Sequence, residues 1–410
     1  MSEFRAEVRE QPEAAARLLA AAPGALRRAA AALRRHRPAG MVIAARGSSD
    51  HAATYAKYLF EIRNSVPVAL AAPSAFTLYR RPPALRRFGV LAISQSGSSE
   101  DVVEVVAEAR RQGAPTVAIT NDPDSRLAAE AEHVLDLAAG RERSVPASKT
   151  YTSSLLMLVM LSQAMHPDLE LVAALNDVPA AIDRVLHLEP QLDEAGLVLQ
   201  GGADDPGSPG QRPGGGTPPS EKGGADDPGS PGQRPGGGTP PSEQGGADDP
   251  GSPGQRPGGG TPPSEKAQRL AVLGRGFNLA TAQEVALKVM ETCSVVAESR
   301  SVADFLHGPI AVVGPGFPVL LIEAAGPTLG DMRALAGRLT ELGAGVVTLT
   351  DGARGGGKAD TVVRVLTGLP EILTPIPFAV AGQLLALRMA LRLGVDPDRP
   401  RGLRKVTVTR

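Results

Sequence analysis

The stretch 41-MVIAARGSSDHAATYAKYLFEIRN-64 decides the fold, because it joins a hydrophobic run to an amphipathic helix through a turn of small residues. A second stretch, 270-LAVLGRGFNLATAQEVALKVMETC-293, has the same organisation. A strand, a small-residue turn and a helix in this order are typical of a parallel α/β unit. The two stretches therefore predict two α/β domains of the same kind.

Further apolar runs continue the pattern in each half. We interpret 90-VLAI-93 and 317-FPVLLI-322 as second strands, and 116-TVAIT-120 and 345-GVVTLT-350 as third strands, with helices between them. Alternating strands and helices form a parallel sheet that is covered on both faces. We therefore expect an α/β protein with two tandem doubly wound parallel-sheet domains.

The domain boundaries follow from this pattern. We expect a helical segment at 1–38, a first domain at 39–190, a second domain at 267–395 and a C-terminal tail at 396–410. Between the domains, residues 201–266 consist of three copies of GGADDPGSPGQRPGGGTPPSEK with one change, glutamine for lysine at position 244. Each copy has one alanine and no other hydrophobic residue, so it cannot bury enough apolar surface to offset its ordering entropy. The repeats predict a disordered insert, acting either as a spacer or as a neutral loop.

Composition excludes several classes of protein. The chain of 410 residues is 42% hydrophobic and 21% charged, with a formal net charge of −1, which does not indicate a nucleic-acid or membrane partner. No signal-peptide core or bilayer-spanning run is visible, so we expect a cytoplasmic protein. A single cysteine, Cys293, excludes an intramolecular disulfide and a cysteine-cluster metal site. We expect it to be a small buried apolar residue.

Two turns rich in hydroxyl groups follow strands that should be neighbours. The stretch 94-SQSGSSED-101 follows one strand, and 46-RGSS-49 follows the first strand. In an open parallel sheet, ligands bind beyond the carboxyl ends of the strands, where helix N-termini present free N–H groups. Helix capping by Ser98 or Ser99 is the alternative for one turn alone. Two converging turns favour a phosphate site. The turn at 94–101 does not have the spacing of a P-loop, and 274-GRGFNLA-280 does not have the spacing of a dinucleotide-binding fingerprint.

Several motifs together carry a family resemblance: 46-RGSS-49, 94-SQSGSS-99, 145-VPASKTYTSSL-155, 284-EVALKVME-291, 305-FLHGPIAV-312 and 399-RPRGLRKVTV-408. They resemble the sugar isomerase (SIS) domain proteins, which have a flavodoxin-like fold. In particular, they are similar to the isomerase half of glucosamine-6-phosphate synthase and to stand-alone glucosamine-6-phosphate deaminases. The resemblance implies an enzyme that acts on a sugar phosphate without a metal or another cofactor.

The resemblance also implies how the substrate is bound. The residues that would hold its phosphate are Ser49, Ser94, Gln95, Ser96 and Ser99. Gly47 and Ser48 would shape the same wall, and Val145 would contact the sugar through its backbone.

The implied catalytic residues lie in the second half of the chain. Glu291 matches the general base that moves a proton between C1 and C2, and Lys288 and Glu284 match its polar support. His307 matches a residue that assists ring opening from a neighbouring subunit, which implies a homodimer with a shared active site. Lys405 matches the lysine that reaches the carbonyl carbon of the sugar.

The residues themselves agree with these roles but also allow plainer ones. Glu284, Lys288 and Glu291 are spaced i, i+4 and i+7, so they share one face of a helix. That spacing equally allows a solvent-exposed salt bridge between Glu284 and Lys288. His307 could equally be a residue of a surface loop. Lys405 could equally belong to an ordinary basic tail, since Arg399, Arg401 and Arg404 surround it.

Departures from the synthase pattern favour the stand-alone deaminases over the synthase. The chain begins Met1-Ser2 rather than with a nucleophilic cysteine, so we expect no production of ammonia from glutamine. Pro146 or Ala147 takes the place of a serine, and Arg46 replaces a small residue. We therefore expect a glucosamine-6-phosphate deaminase that forms fructose 6-phosphate and ammonia. The alternatives are a fructosamine 6-phosphate deglycase, a ketose/aldose phosphate isomerase, or a sugar-phosphate sensor without catalysis.

Overall fold

The first half of the chain forms one parallel sheet of five strands. The computed structural model describes residues 2–21, 23–201, 269–352 and 359–405. The strands of the first sheet are β1 Gly40–Ala44, β2 Val68–Leu70, β3 Phe88–Ser94, β4 Thr116–Thr120 and β5 His133–Asp136. Their order across the sheet is β2-β1-β3-β4-β5. All four neighbouring pairs are parallel.

The second half repeats this architecture. Its strands are β6 Arg269–Gly274, β7 Val296–Ser301, β8 Pro318–Glu323, β9 Gly345–Thr350 and β10 Thr361–Arg364. They pair in parallel in the order β10-β9-β8-β6-β7, the same order as in the first sheet when read from the other edge. The prediction of two doubly wound parallel-sheet domains is confirmed. Residues 202–266 of the repeat insert lie outside the described residues.

Helices cover the sheets and precede the first strand. Those of the first half are α1 Glu3–Arg9, α2 Gln11–Ala21, α3 Pro23–His36, α4 Ser48–Asn64, α5 Ser74–Thr77, α6 Glu100–Arg111, α7 Arg126–Glu130, α8 Lys149–Met165, α9 Leu169–Asn176, α10 Val178–Leu186 and α11 Glu189–Leu199. Those of the second half are α12 Asn278–Cys293, α13 Val302–Leu306, α14 Leu329–Glu341 and α15 Pro375–Arg392.

The interpretation of 90–93 and 317–322 as second strands was wrong, because a short edge strand precedes each of them. These edge strands, β2 and β7, make the two apolar runs the third strands of their domains, and the runs 116–120 and 345–350, which were predicted as third strands, are the fourth. β2 has only three residues, and β7 has the polar sequence VAESRS, so neither has the apolar run of a central strand. The correction leaves β1 and β3 as neighbours, with Ala44 paired to Ala92 at their carboxyl ends.

A shared layer of helices joins the two domains into one core. α12 packs against both α4 and α15, and α15 packs against α8. α15 is apolar around most of its circumference, and all of its residues from Pro375 to Leu387 are buried, as expected of a helix that is surrounded by protein. This layer places α12 of the second domain beside α4 of the first, and the functional site lies near their contact.

Helix α1 and the C-terminal tail hold each other in place. The carboxylate of Asp398 in the tail accepts hydrogen bonds from the backbone N–H groups of Glu3 and Phe4, both at 2.8 Å. A carboxylate at this position satisfies N–H groups that have no partner within the helix and interacts favourably with the helix dipole. Asp398 is therefore held at the start of α1, and the tail residues that follow it start from this position.

Two further expectations concern the single cysteine and the presence of membrane-spanning helices. Cys293 is buried, as predicted, and burial raises the pKa of its thiol to about 11. Its sulfur donates to the backbone oxygen of Ala386 at 3.3 Å. Among the described residues, none of the helices has the length and apolar character needed to cross a bilayer.

Candidate active site

Two turns at the carboxyl ends of β1 and β3 form one wall of a pocket. The first turn contains Gly47, whose φ of 56° favours glycine, and α4 begins at the next residue. The second turn contains Gly97, with φ of 59°, and leads into α6. Because β1 and β3 are paired, the N-termini of both helices lie at the same edge of the sheet. Such an edge presents backbone N–H groups and positive dipole ends.

The pocket has a volume of about 230 Å³ and brings most of the predicted residues together. Its lining from the two turns comprises Arg46, Gly47, Ser48, Ser49, Ser94, Gln95, Ser96 and Ser99. The remaining lining residues are Val145, Ala147, Glu291, Leu403, Arg404 and Lys405. All of the residues predicted to hold the phosphate therefore line one cavity, together with the predicted base and the lysine of the tail.

The hydroxyl group of Ser99 is not used for helix capping. Ser99 occupies the N-cap position of α6, yet its side chain makes no capping hydrogen bond. Ser94 Oγ accepts from the N–H of Gly97 at 3.2 Å, and Ser96 and Ser98 share a hydrogen bond of 2.7 Å between their hydroxyl oxygens. The turn is thus stabilised by its own serines, while Ser99 faces the pocket.

Arg46 adds a positive charge to this wall. Its Nε donates to Oδ2 of the buried Asp101 at 2.6 Å, and about half of its side chain is exposed. Asp101 lies at the start of α6, so the ion pair links the turn after β1, which contains Arg46, to the helix that follows the turn after β3. A guanidinium group held beside a cluster of hydroxyl groups suits an anionic ligand.

Glu284, Lys288 and Glu291 form a buried ionic cluster rather than an exposed salt bridge. Lys288 Nζ lies 3.4 Å from Oε1 of Glu284 and 2.5 Å from Oε2 of Glu291. The side chains of Lys288 and Glu284 are 0% and 1% exposed, whereas that of Glu291 is 17% exposed and reaches the pocket. Burial alone would lower the pKa of Lys288, but the two carboxylates raise it above its ordinary value. The lysine therefore remains a cation beside Glu291.

Two residues of α4 complete this cluster. Ser48 Oγ donates to Oε1 of Glu284 at 3.0 Å, and Lys288 Nζ donates to Ser48 Oγ at 3.3 Å. His51 Nδ1 lies 2.8 Å from Oε2 of Glu284. The sequence predicted Ser48 only as part of the pocket wall, and it gave no indication of a role for His51.

Lys405 contacts a buried carboxylate that the sequence analysis missed. Its Nζ donates to Oε2 of Glu142 at 2.8 Å, and this glutamate also accepts hydrogen bonds from the backbone and hydroxyl groups of Ser148 and Thr150. Burial would raise the pKa of Glu142, but Lys405 and the backbone N–H groups of Ser148 and Thr150 lower it below its ordinary value. Glu142 is therefore an anion that holds the tail lysine at the pocket.

The loop that carries Val145 is attached to α1. The backbone N–H of Ser144 donates to Glu7 at 3.2 Å, and its hydroxyl group donates to the same carboxylate. Lys149, at the start of α8, pairs with Glu10 at 2.5 Å. The N-terminal helices thus fix the wall of the pocket that the resemblance assigns to the sugar.

His307 does not lie in the pocket of its own chain. It follows α13 in an exposed turn, where its Nδ1 lies 2.7 Å from the backbone oxygen of Ala303. Its assignment to the pocket of a neighbouring subunit stays a prediction.

These features define a two-domain α/β protein with a small pocket lined by two serine-rich turns beside a buried Glu–Lys–Glu cluster. The chain belongs to the SIS domain family, whose pattern matches residues 37–164 and 265–391, one match in each sheet-forming half.

Comparison with individual proteins supports the family assignment. A crystal structure of a protein described as a phosphosugar isomerase, from Silicibacter pomeroyi DSS-3, is 30% identical with a TM-score of 0.74, and the match covers 97% of this chain and 100% of that one. A glucosamine-6-phosphate deaminase from Thermotoga maritima is 19% identical with a TM-score of 0.65, covering 100% of both chains, and shows the shared fold.

Longer relatives match over part of their length. The glutamine–fructose-6-phosphate aminotransferase (isomerizing) of Pyrococcus horikoshii is 27% identical over 374 residues, which are 90% of this chain and 52% of the relative. The corresponding enzyme of Methanothermobacter thermautotrophicus is 28% identical over 367 residues, 88% of this chain and 50% of the relative. The chain therefore spans about half the length of these curated relatives.

Proposed function

We propose that the protein is a glucosamine-6-phosphate deaminase of the SIS type, converting glucosamine 6-phosphate to fructose 6-phosphate and ammonia. The observation that carries the proposal is the position of Glu291. Its carboxylate lines the same cavity as the two serine-rich turns and lies 2.5 Å from the buried ammonium group of Lys288. A base and an anion-binding wall within one small cavity suit a phosphorylated substrate that loses a carbon-bound proton.

The phosphate would be held by the turns after β1 and β3. Ser49, Ser96 and Ser99 supply hydroxyl groups, the starts of α4 and α6 supply backbone N–H groups, and Arg46 supplies charge. A phosphate monoester needs several short donors and little bulk around them. Binding at this end would leave the reacting end of the sugar near Glu291 and the tail.

The reaction needs one base and one donor. After ring opening, Glu291 removes the proton from C2 of the aldose, and the electron pair forms the C1–C2 double bond of an enolamine as O1 gains a proton. Return of the proton to C1 makes the C2 amine an iminium, and water then adds at C2 and expels ammonia. Lys405, which lines the same cavity, would stabilise negative charge at the carbonyl oxygen during the first step. His307 of a second copy would assist ring opening, so the proposal includes a homodimer.

An ammonia-release assay on the purified protein tests the proposal. Wild-type protein should release ammonia and fructose 6-phosphate from glucosamine 6-phosphate, and Glu291→Gln should abolish turnover while retaining binding of inorganic phosphate. Glu298→Gln serves as a matched control, because Glu298 is exposed and paired with Arg300. Full activity of Glu291→Gln would remove this residue from the mechanism.

A ketose/aldose phosphate isomerase is the second candidate, and it is favoured by the 30% identical relative that is described as a phosphosugar isomerase. It would use the same base and pocket but release no ammonia. A panel of glucosamine 6-phosphate with aldose, ketose and fructosamine 6-phosphates in D₂O separates the candidates. Isomerisation with deuterium uptake but no ammonia identifies the isomerase, and release of a larger amine identifies a deglycase. A sugar-phosphate sensor would need only the serine turns, so a carboxylate paired with Lys288 at the same cavity favours an enzyme.

A further inference from the structure

His51 contacts the buried cluster from outside the pocket. It lies in the first turns of α4, where its Nδ1 is 2.8 Å from Oε2 of Glu284. Its side chain is 19% exposed, and it is not among the residues that line the cavity. His51 therefore contacts the site through Glu284 rather than through the lining of the pocket.

The two oxygens of Glu284 have separate partners. Oε1 accepts from Ser48 and lies 3.4 Å from the ammonium of Lys288, whereas among the described residues His51 is the hydrogen-bond partner of Oε2. Glu284 is 1% exposed, so an Oε2 without this partner would be a buried acceptor without a hydrogen bond. Leaving a charged group unsatisfied in the interior is costly, and the carboxylate would be expected to rotate.

The orientation of Glu284 determines the surroundings of Glu291. Lys288 is shared between the two carboxylates, with its ammonium closer to Glu291 than to Glu284. If Glu284 rotated, the Lys288 ammonium would lose one of its two carboxylate partners, and Glu291, which is paired with that ammonium, would lose its fixed position. The position of Glu291 therefore depends on a hydrogen bond two side chains away.

The same turn of α4 holds both oxygens of Glu284. Ser48 and His51 are three residues apart, so their side chains lie on one face of the helix. Ser48 also lines the pocket beside the predicted phosphate-binding residues. The two hydrogen bonds from Ser48 and His51 to Glu284 hold α4 in a fixed position against α12, the helix that carries Glu291.

We propose that His51 is a positioning residue for the reaction. It donates its Nδ1 hydrogen to Glu284, which keeps Lys288 shared between two carboxylates and leaves Glu291 aligned for proton removal. The inference rests on the proposed function in that Glu291 is taken as the base. It predicts an effect on the chemical step and little effect on the affinity for the substrate phosphate.

Kinetics of two substitutions at this position test the proposal. His51→Leu should lower kcat about 10- to 100-fold, the range expected for loss of a hydrogen bond to a charged group, while KM and the dissociation constant for inorganic phosphate change less than about threefold. His51→Asn should recover most of kcat, because its amide can donate from the position of Nδ1. His187→Leu is the control, since His187 is 80% exposed. Wild-type kcat in His51→Leu, or an equal loss in His51→Asn, would overturn the proposal.

A measurement without substrate separates this proposal from the proposed function. Thermal denaturation midpoints are compared for wild type, His51→Leu, Glu284→Gln and the double variant, all as full chains. If His51 and Glu284 act as one pair, the second substitution should cause no further loss. The denaturation midpoint of the double variant should then equal or exceed that of the less stable single variant. Additive losses would overturn the positioning role, even if the wild type turned over none of the sugar phosphates. Non-additive losses with an inactive wild type would reject only the proposed reaction.

Discussion

The ammonium group of Lys405 lies 2.8 Å from Oε2 of Glu142, and this contact fastens the C-terminal tail to the wall of the pocket. Glu142 is buried and accepts hydrogen bonds from both Ser148 and Thr150, so it also shapes the loop that carries Val145. One carboxylate thus organises the two sides of the pocket that come from distant parts of the chain.

Replacement of this carboxylate should release the tail. Glu142→Gln removes the charge that pairs with Lys405 and turns an amide N–H₂ group toward donors, so we expect kcat to fall at least about tenfold. Trypsin should then cleave faster after Arg401 and Arg404, which lie in the exposed part of the tail. Glu132→Gln is the control, because its side chain is more than half exposed. Unchanged activity and cleavage in Glu142→Gln would show that the contact does not hold the tail.

The contribution of Glu142 should depend on pH in one direction. Its pKa is lowered in the folded state from an ordinary value of 4.5, so the ionised form is favoured by folding and stabilises the protein above that pH. The stabilisation is lost as the pH falls from about 4.5 toward the folded-state pKa. The difference in denaturation midpoint between wild type and Glu142→Gln should therefore be constant near neutral pH and shrink in acid. A difference that grows on acidification would contradict this assignment.

Two serines at helix N-caps should respond differently to alanine. Ser99 makes no capping bond and faces the pocket, whereas Ser125 caps α7 through the N–H of Ala128 at 3.3 Å. We expect Ser99→Ala to weaken binding of inorganic phosphate about fivefold or more, the loss of one hydrogen bond to a charged ligand, with little loss of stability. Ser125→Ala should lower the free energy of unfolding by about 1 kcal/mol and leave phosphate binding unchanged. Calorimetric titration and chemical denaturation of both variants measure the two effects, and the reverse pattern would place the ligand elsewhere.

Much of the fold could be predicted because central strands have continuous apolar sequences. The predicted runs 116–120 and 345–350 coincide with β4 and β9. The edge strands β2 and β7 were missed, since an edge strand is short or partly solvated and lacks that signal. The serine turns could be placed together because neighbouring parallel strands end at the same edge of a sheet.

The supporting residues of the site could not be predicted in this way. His51 and Glu284 are 233 residues apart in the sequence, and Glu142 and Lys405 are 263 residues apart. A lone histidine in a helix and a lone glutamate in a loop carry no local pattern that indicates a buried partner. Their roles arise from the packing of α4 against α12 and from the path of the tail, which only the three-dimensional structure shows.

Loss of Lys288 should destabilise the whole protein as well as abolish turnover. Lys288→Met leaves Glu284 and Glu291 without the cation between them, and breaking a buried ion pair costs about 3–5 kcal/mol. Lys57→Met is a matched control, because Lys57 forms an exposed pair with Glu61 and its loss should cost less than about 1 kcal/mol. Adding Glu284→Gln to Lys288→Met should restore part of the stability by removing one unpaired charge. Chemical denaturation of the four proteins measures these differences, and a Lys288→Met variant as stable as Lys57→Met would show that the cluster is not held by this lysine.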